Sequence, residues 1–408
     1  MPLVFANIFD QGLASLNRFL SALFAAMLAF GGAAYAEITA IAAGDKFSVA
    51  LDSDGKLYAT GRIGYGRLEP HDANIYRGWY KFSAIEPFGG AKITAITVGD
   101  GHALALTSDG RVYGTGRNKN GELGLDDLER INNFTEVLSL KSKTVSAVAA
   151  GYRHSLALSA GGKVYAAGDN YRGQLGINDI DNPIKSRKVF TEALGDIDGK
   201  KIIAASAGRD YSLALDEGGR VYGAGGGYHG ELGLNQPDRK FRAFTEISTL
   251  KDKKIIAIAA GVSHSLALSA GGKIYAAGHN GYGQLGLGDT TDRAVFTEVA
   301  TFSGKDKIIA VAAGYQHSLA LSAGGKVYAA GRNYMGQFGL GDTTDRAVFT
   351  EIPTLKDKKI IAVAAGGFHS LALDSDGRIY ATGMNNNGQL GLGDSKDRDT
   401  FTLVPLSL

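Results

Sequence analysis

The chain has 408 residues, with 58 glycines, 7 prolines and no cysteine, and its 43 basic side chains nearly balance its 41 acidic ones. The missing cysteines exclude disulfides, thiol nucleophiles and thiolate zinc sites, and the balanced charge, without a concentrated basic face, argues against a nucleic-acid partner. Abundant glycine with little proline indicates many short strands joined by tight turns.

The first 36 residues differ in composition from everything that follows. An apolar run at 19–30 follows Arg18 and precedes small residues that end in the sequence AYA. This order is typical of a secretory signal, here with a cleavage site before Glu37. An uncleaved anchor is the alternative, but this apolar run is short for a membrane span. We therefore expect an exported protein, secreted or periplasmic, that keeps no membrane insertion once residues 1–36 are removed.

A motif repeats along the rest of the chain, most clearly as AAGYRHSLALSAGGKVYAAGDNYRGQLG from Ala149. Its opening glycine recurs at intervals of 52–57 residues, at Gly44, Gly99, Gly151, Gly208, Gly261, Gly314 and Gly366. Regular spacing of this length with strand-like content is typical of β-propeller blades. The sequence predicts an all-β, seven-bladed propeller over residues 37–408.

Each copy contains four strand candidates, which in the sixth copy are Lys307–Ala313, His317–Ser322, Lys326–Ala330 and Val348–Ile352. The second alternates leucine with small residues, as a strand with one bulky and one small face requires. Copy one has no FTEV-like strand before it, whereas the chain ends in FTLVPL at 401–406. We therefore expect the C-terminal strand to complete the first blade and close the ring, which would join the two ends and remove an exposed sheet edge.

Three recurring motifs are interpreted as structural. One repeat position holds histidine in five copies but Phe47 and Tyr211 in the other two, and phenylalanine cannot ligate a metal. Glutamine and glutamate interchange in the GQLGLG segment, which a general acid or base would not tolerate. Two G-x-G-x-x-G matches, at Gly225–Gly230 and Gly281–Gly286, lie in repeat loops without the strand–helix unit of a dinucleotide site. The five histidines are His102, His154, His264, His317 and His369.

The aspartates of the GDTTDR-type loops, Asp292 among them, are interpreted as solvated turns, because a calcium loop needs more ligands than they offer. Together with the motifs above, this leads us to expect no catalytic residue, no cofactor and no metal site.

Copies five and six show where the repeat varies. The segments Ile255–Ala300 and Ile308–Pro353 differ at only ten positions, five of them radical. All five lie in the loops after strand one and after strand three: Val262/Tyr315, Ser263/Gln316, His279/Arg332, Gly281/Tyr334 and Tyr282/Met335. Because neighbouring strands of a blade run in opposite directions, both loops must leave on the same face. A copied scaffold with one diversified face indicates a binding surface.

Tyrosine, arginine and methionine, which are enriched at protein interfaces, collect in these two sets of loops. Neutral drift is the alternative, but it would favour small polar residues over exposed aromatics. We assign Phe47, Tyr65 and Met384 to the same loops. The predicted protein-binding face comprises Tyr152, Arg153, Tyr171, Arg172, Tyr228, His229, Tyr282, Tyr315, Arg332, Tyr334, Met335 and Phe368.

The combination of HSLAL, GGKVY or DGRVY, and GQLGLG resembles the repeat of the regulator of chromosome condensation (RCC1) family across residues 37–408. The resemblance implies a propeller that presents loops to another protein, as in exchange factors for a small GTPase, ubiquitin-ligase modules and secreted bacterial inhibitors of β-lactamase.

The leading hypothesis is an exported, monomeric, non-enzymatic interaction or inhibitor module with an unknown protein partner. One alternative is a guanine-nucleotide exchange factor-like regulator of a small GTPase. The other is a polysaccharide-active or carbohydrate-binding propeller, for which Asp45 and Asp100 are the best carboxylate pair.

Overall fold

A computed structural model describes residues 37–62, 79–85, 91–179, 185–302 and 306–406. In these residues the chain forms seven four-stranded antiparallel sheets, in each of which strands consecutive in sequence are neighbours. The predicted seven-bladed propeller is confirmed. The signal peptide assigned to 1–36 lies outside the described residues. The described residues include no helix with the length and hydropathy of a membrane span.

The blades follow one another along the chain. Blade one contains β1 (Ile38–Ala43), β2 (Phe47–Asp52), β3 (Leu57–Gly61) and β4 (Trp79–Ile85). Blade two contains β5 (Ile93–Val98), β6 (His102–Thr107), β7 (Val112–Gly116) and β8 (Ile131–Glu136). Blade three contains β9 (Val145–Ala150), β10 (His154–Ser159), β11 (Val164–Asp169) and β12 (Ser186–Glu192). Blade four contains β13 (Ile202–Ala207), β14 (Tyr211–Asp216), β15 (Val221–Gly225) and β16 (Phe241–Glu246).

Blade five contains β17 (Ile255–Ala260), β18 (His264–Ser269), β19 (Ile274–Gly278) and β20 (Arg293–Glu298). Blade six contains β21 (Ile308–Ala313), β22 (His317–Ser322), β23 (Val327–Gly331) and β24 (Arg346–Glu351), within two residues of the bounds predicted for its strands. Blade seven contains β25 (Ile360–Ala365), β26 (His369–Asp374), β27 (Ile379–Gly383) and β28 (Arg398–Leu403). Short 3₁₀ helices follow the fourth strands of blades two, four, five and six, at Leu138–Leu140, Ser248–Leu250, Ala300–Phe302 and Pro353–Leu355.

The alternation in the second strands is what lets the blades nest. In β22 every residue is buried, because both faces of the sheet are covered by neighbouring blades. Leu319 and Leu321 pack toward blade seven, where they meet Ala372. Ala320 belongs instead to the cluster shared with Leu266 of blade five. Each seam thus places leucines of one blade against alanines of the next. The alanine-rich first strands line an axial cavity of about 230 Å³.

The ring does not close as predicted. β28 pairs with β27 in blade seven, so the expectation that the C-terminal strand completes the first blade is wrong. Blade one forms its own outer strand, β4, which pairs with β3 and supplies Phe82 to the core. An outer strand needs only backbone pairing and an inward apolar side chain, so a sequence unlike FTEV can form it. Blades one and seven are joined by the packing of Ile38 and Ile41 against Leu371 and Leu373.

The GQLGLG segments, which we call straps, connect blades two to seven each to the following blade. Gly393 N donates to Tyr80 O (2.6 Å) across the closing seam, for example. The straps form isolated bridges to the fourth strand of the following blade: Leu125 with Val189, Ile177 with Ala243, Leu234 with Val295, Leu287 with Val348, Leu340 with Thr400, and Leu392 with Lys81.

The five histidines of the repeat form a second set of links between blades, which confirms their structural interpretation. Each is fully buried, and its Nε2 lies 2.8–3.1 Å from the serine Oγ of the next blade. Four of these serines donate onward to a strap carbonyl, as Ser370 does to Gln337 O (2.7 Å). Two blades have no histidine at this position. Phe47 takes its place in blade one, and the following blade has Ala103 instead of the serine. Tyr211 takes its place in blade four and accepts a hydrogen bond from Ser265.

Candidate protein-binding face

The loop after the third strand is held rigidly by two amide side chains in most blades. In blade six, Asn333 Oδ1 accepts from Phe338 N (2.9 Å), and Gln337 Oε1 accepts from Met335 N (3.0 Å). In blade two, Glu122 takes the glutamine's place and accepts from Asn120 N (2.8 Å). Both side chains offer an acceptor oxygen to the backbone, which explains why glutamine and glutamate interchange.

The two residues between this asparagine and the following glycine are therefore free to vary on a fixed loop. In blades three and six this pair brings an exposed tyrosine, Tyr171 or Tyr334, to the surface. The pairs are Lys119-Asn120, Tyr171-Arg172, Gly281-Tyr282, Tyr334-Met335 and Asn386-Asn387 in blades two, three, five, six and seven, and Tyr228-His229 takes the same place in blade four, where Gly227 replaces the asparagine. Side chains on such loops reach a partner without a large loss of loop entropy.

Aromatic contacts show that the two sets of loops share a face, as predicted. Tyr334, after a third strand, packs edge-on against Phe368, after a first strand, with ring centroids 5.5 Å apart. Phe368 also meets Tyr315 at 5.6 Å. The Arg332 guanidinium lies 4.0 Å from the centroid of Tyr334 and 4.5 Å from that of Tyr282. We call the surface formed by these two sets of loops the loop face.

A second group on the loop face spans blades three and four. The Arg172 guanidinium lies 4.3 Å from the centroid of the Tyr228 ring, and Lys240 Nζ lies 4.3 Å from that of Tyr171. Tyr171 is 56% exposed and Tyr228 is 62% exposed. A monomer gains little from large aromatic rings left in water, whereas an interface gains from burying them.

Side chains after the first strands surround the mouth of the axial channel, a cavity of about 100 Å³. Tyr315 donates to Asp100 Oδ1 (2.7 Å) and lies 6.4 Å, centroid to centroid, from Tyr152. Arg117 also reaches Asp100, at 3.3 Å. Burial raises the pKa of the Asp45 carboxyl above its usual value, Lys46 opposes this shift, and the Asp100 charge adds to it. Burial likewise raises the pKa of Tyr315, with Asp45 and Asp100 adding to the shift.

At the seam between blades four and five, three polar side chains come together. His229 Nδ1 lies 2.6 Å from Asp292 Oδ2, and its ring centroid lies 4.4 Å from that of His279. The His279 ring in turn meets Tyr282 edge-on at 5.9 Å. Burial lowers the pKa of His279, and His229 lowers it further.

All twelve residues of the predicted binding face lie in the loops of this face, and Tyr171, Tyr228 and Tyr334 are its exposed members. Phe47 is different: it is fully buried in the seam between blades one and two, so its assignment to the surface is wrong. Its ring fills the position that histidine fills elsewhere. Met384 is half-buried, and Tyr65 lies outside the described residues.

Sequence comparison missed three members of this surface. Lys240 and Asp292 contact predicted residues from the far ends of loops that follow third strands, next to β16 and β20. Arg209 lies in the loop after the first strand of blade four and contacts Tyr152. Their distance along the chain from Tyr171, Tyr152 and His229 hides these contacts. Two of the residues left out carried a signal that could have added them to the predicted set: His279 is one of the five radical differences between copies five and six, and Arg209 occupies the repeat position of Tyr152 and Tyr315.

Comparison with known proteins supports this architecture. A model of the RCC1-like domain matches residues 83–408, and a model of the RCC1 repeat matches residues 38–67. The ultraviolet-B receptor UVR8 of Arabidopsis thaliana is 31% identical over 365 residues, which are 89% of this chain and 80% of the receptor. The human E3 ubiquitin-protein ligase HERC2 is 32% identical over 81% of this chain, which spans only 7% of the ligase.

Two solved structures resemble this propeller. Prp20p from Saccharomyces cerevisiae, described with its binding properties to Gsp1p and histones, has a TM-score of 0.73 at 25% identity, covering 92% of this chain and 87% of Prp20p. Human WBSCR16 has a TM-score of 0.76 at 24% identity, covering 86% of this chain and 94% of its own, and shares the fold. From the matching models, the 31% identity to UVR8 and the seven blades, the chain belongs to the RCC1-like family of β-propellers.

Proposed function

We propose that this propeller binds a protein partner through its loop face. The observation that carries the proposal is the group of exposed tyrosines, each stacked with a cation, at the variable positions of the loops after the third strands. Tyrosine and arginine dominate the binding energy of protein interfaces because they combine large apolar area with polar contact. The structure of the similar protein Prp20p is described together with its binding properties to Gsp1p and histones. Protein partners of that kind agree with the proposal of a protein-binding role.

The shape of the face favours a protein over a small ligand. The mouth cavity of about 100 Å³ is well below the roughly 300–1,000 Å³ of small-molecule pockets. The carboxylate pair proposed for polysaccharide chemistry is already engaged, because Asp100 contacts Tyr315 and Arg117 while Asp45 contacts Lys46. These contacts favour a structural role for the pair and a non-enzymatic role for the propeller.

We further propose that the protein acts after export, as a secreted or periplasmic binding or inhibitor module. The support is the order of residues in 1–36, with Arg18, an apolar run and AYA before Glu37.

Comparative capture tests the binding proposal. The bait is the purified chain from Glu37, and the prey is an extracellular or periplasmic fraction of the native cells. A variant with Tyr171→Ala, Tyr228→Ala and Tyr334→Ala should lose the specific partner, whereas the pair Lys163→Ala and Lys273→Ala should retain it.

The lysines make a matched control because each lies in a hairpin turn on the opposite face and forms an exposed ion pair, with Glu192 or Glu298. Exposed pairs of this kind contribute little to stability. A protein retained by the tyrosine variant but lost from the lysine variant would place the interface on the other face.

A further inference from the structure

Asp292 offers a carboxylate oxygen in a fixed place on the loop face. Its Oδ1 accepts from Asn280 N (2.7 Å), which sets the orientation of the side chain. Asp345 and Asp397 make the same bond in blades six and seven, also at 2.7 Å, so the orientation belongs to the repeat. In blade five the second oxygen, Oδ2, lies at the seam with blade four, 2.6 Å from His229 Nδ1.

Two imidazoles lie close to the Asp292 carboxylate. His229 comes from the variable pair of blade four, and His279 opens the corresponding loop of blade five. One nitrogen of each ring and one oxygen of Asp292 all lie within 4.8 Å of one another. In the described part of the chain, no other group of histidine, aspartate and glutamate side chains has this arrangement.

We propose that His229, His279 and Asp292 bind a divalent transition-metal ion of the zinc class. Two imidazoles and a carboxylate are a donor set that suits zinc, and three protein ligands leave a fourth position open. Because the site lies on the loop face, a partner that binds there would cover it. The metal site does not depend on the proposed partner and is tested without one.

The distances allow the ligands to close around an ion with small movements. Zinc–ligand bonds of about 2.0–2.1 Å place tetrahedral ligand atoms about 3.3 Å apart. The His229–Asp292 pair, at 2.6 Å, must therefore open slightly, and the three ligand atoms already lie within 4.8 Å of one another. Asp292 is exposed and His229 is half-buried, so neither is confined by core packing.

One existing contact must give way if His279 binds through Nδ1, which lies 2.7 Å from Gln284 Nε2. The fold tolerates that loss elsewhere. The counterparts Gln174, Gln337 and Gln389 keep a buried Nε2 without a protein partner in the same loop position. Releasing His279 would leave Gln284 in the state that these three already have.

The same seam position in the next pair of blades carries no imidazole. There Tyr282 and Arg332 take the places of His229 and His279, and the guanidinium stacks 4.5 Å from the tyrosine centroid. The fold thus accepts tyrosine and arginine at these two positions. The substitutions His229→Tyr and His279→Arg should remove the metal ligands without disturbing the blades.

Titration of tag-free protein, freed of metal with a chelator, tests the site. Isothermal titration calorimetry should show that one equivalent of Zn²⁺ binds per chain. Co²⁺ bound in its place should give the visible absorption of a four-coordinate site. His229→Tyr and His279→Arg should each weaken Zn²⁺ binding at least tenfold. The control is His71→Ala, which should leave the Zn²⁺ affinity unchanged. His71 lies outside the described residues.

The remaining five of the chain's eight histidines are in the buried ring and cannot compete for the ion. Zn²⁺ binding weaker than about 1 mM, or equal affinity in the wild type and both histidine variants, would overturn the proposal. Loss of binding only in His71→Ala would also overturn it, since the ion would then be held elsewhere.

Discussion

Tyr315 of blade six donates a 2.7 Å hydrogen bond to Asp100 of blade two, joining blades that are not neighbours across the mouth of the axial channel. Tyr315→Phe removes this donor but keeps the ring against Tyr152 and Phe368. Asp100 keeps its ion pair with Arg117 in this variant. We therefore expect the free energy of unfolding to fall by only about 1–2 kcal/mol.

Urea denaturation measures this change. Tyr171→Phe is the matched control, because its ring is 56% exposed, and it should alter stability by no more than about 0.5 kcal/mol. Equal stability of wild type and Tyr315→Phe would show that the contact across the channel contributes nothing.

The buried histidine ring should make the propeller sensitive to acid. Burial lowers the pKa of His154, His264, His317 and His369 to about 3. In the unfolded chain these histidines have pKa values near 6.5. Below that pH the unfolded state therefore binds protons that the folded state does not bind. Stability therefore falls as the pH drops from 6.5 toward 3, by about 2 kcal/mol per histidine between pH 7.5 and pH 5.

A double variant isolates one member of the ring. His317→Phe with Ser370→Ala copies the natural combination of Phe47 and Ala103. Its loss of unfolding free energy between pH 7.5 and pH 5 should be smaller than that of the wild type by about 2 kcal/mol. Identical losses would mean that His317 takes up a proton in the folded state.

The opening glycine of each repeat makes room for the ring three residues later. A Cβ on Gly314 would lie 2.5 Å from both Gly366 O and His317 Cε1. Gly314→Ala should therefore destabilise the fold by about 1–3 kcal/mol through overpacking. Gly324→Ala is the control, since its Cβ would meet nothing closer than Ser322 Oγ at 3.9 Å. Thermal unfolding that ranks the two variants equally would contradict this explanation.

The proposed export signal is open to a direct chemical test. Cleavage after the AYA sequence should give a mature chain that begins at Glu37. N-terminal sequencing and intact mass of the exported protein measure this. A secreted or periplasmic chain that still begins at Met1 would contradict the prediction.

The sequence predicted the blades because alternation and spacing are local properties, as in His317–Ser322 of β22. It located the loop face because antiparallel strands fix the direction of each loop. It failed on ring closure, since Trp79–Ile85 forms an outer strand without resembling its counterparts. It could not have paired Tyr315 with Asp100 across 215 positions, since no local pattern connects them.

The affinity of the captured partner for single variants tests binding through the loop face most directly. Tyr228→Ala, at the most exposed ring of the set, and Tyr334→Ala should each raise the Kd by the equivalent of about 2 kcal/mol, roughly thirtyfold, if they anchor the interface. Lys273→Ala on the opposite face should leave the Kd unchanged, with equal melting temperatures for all three. Unchanged affinity in both tyrosine variants, with a weakened Lys273→Ala, would contradict the account.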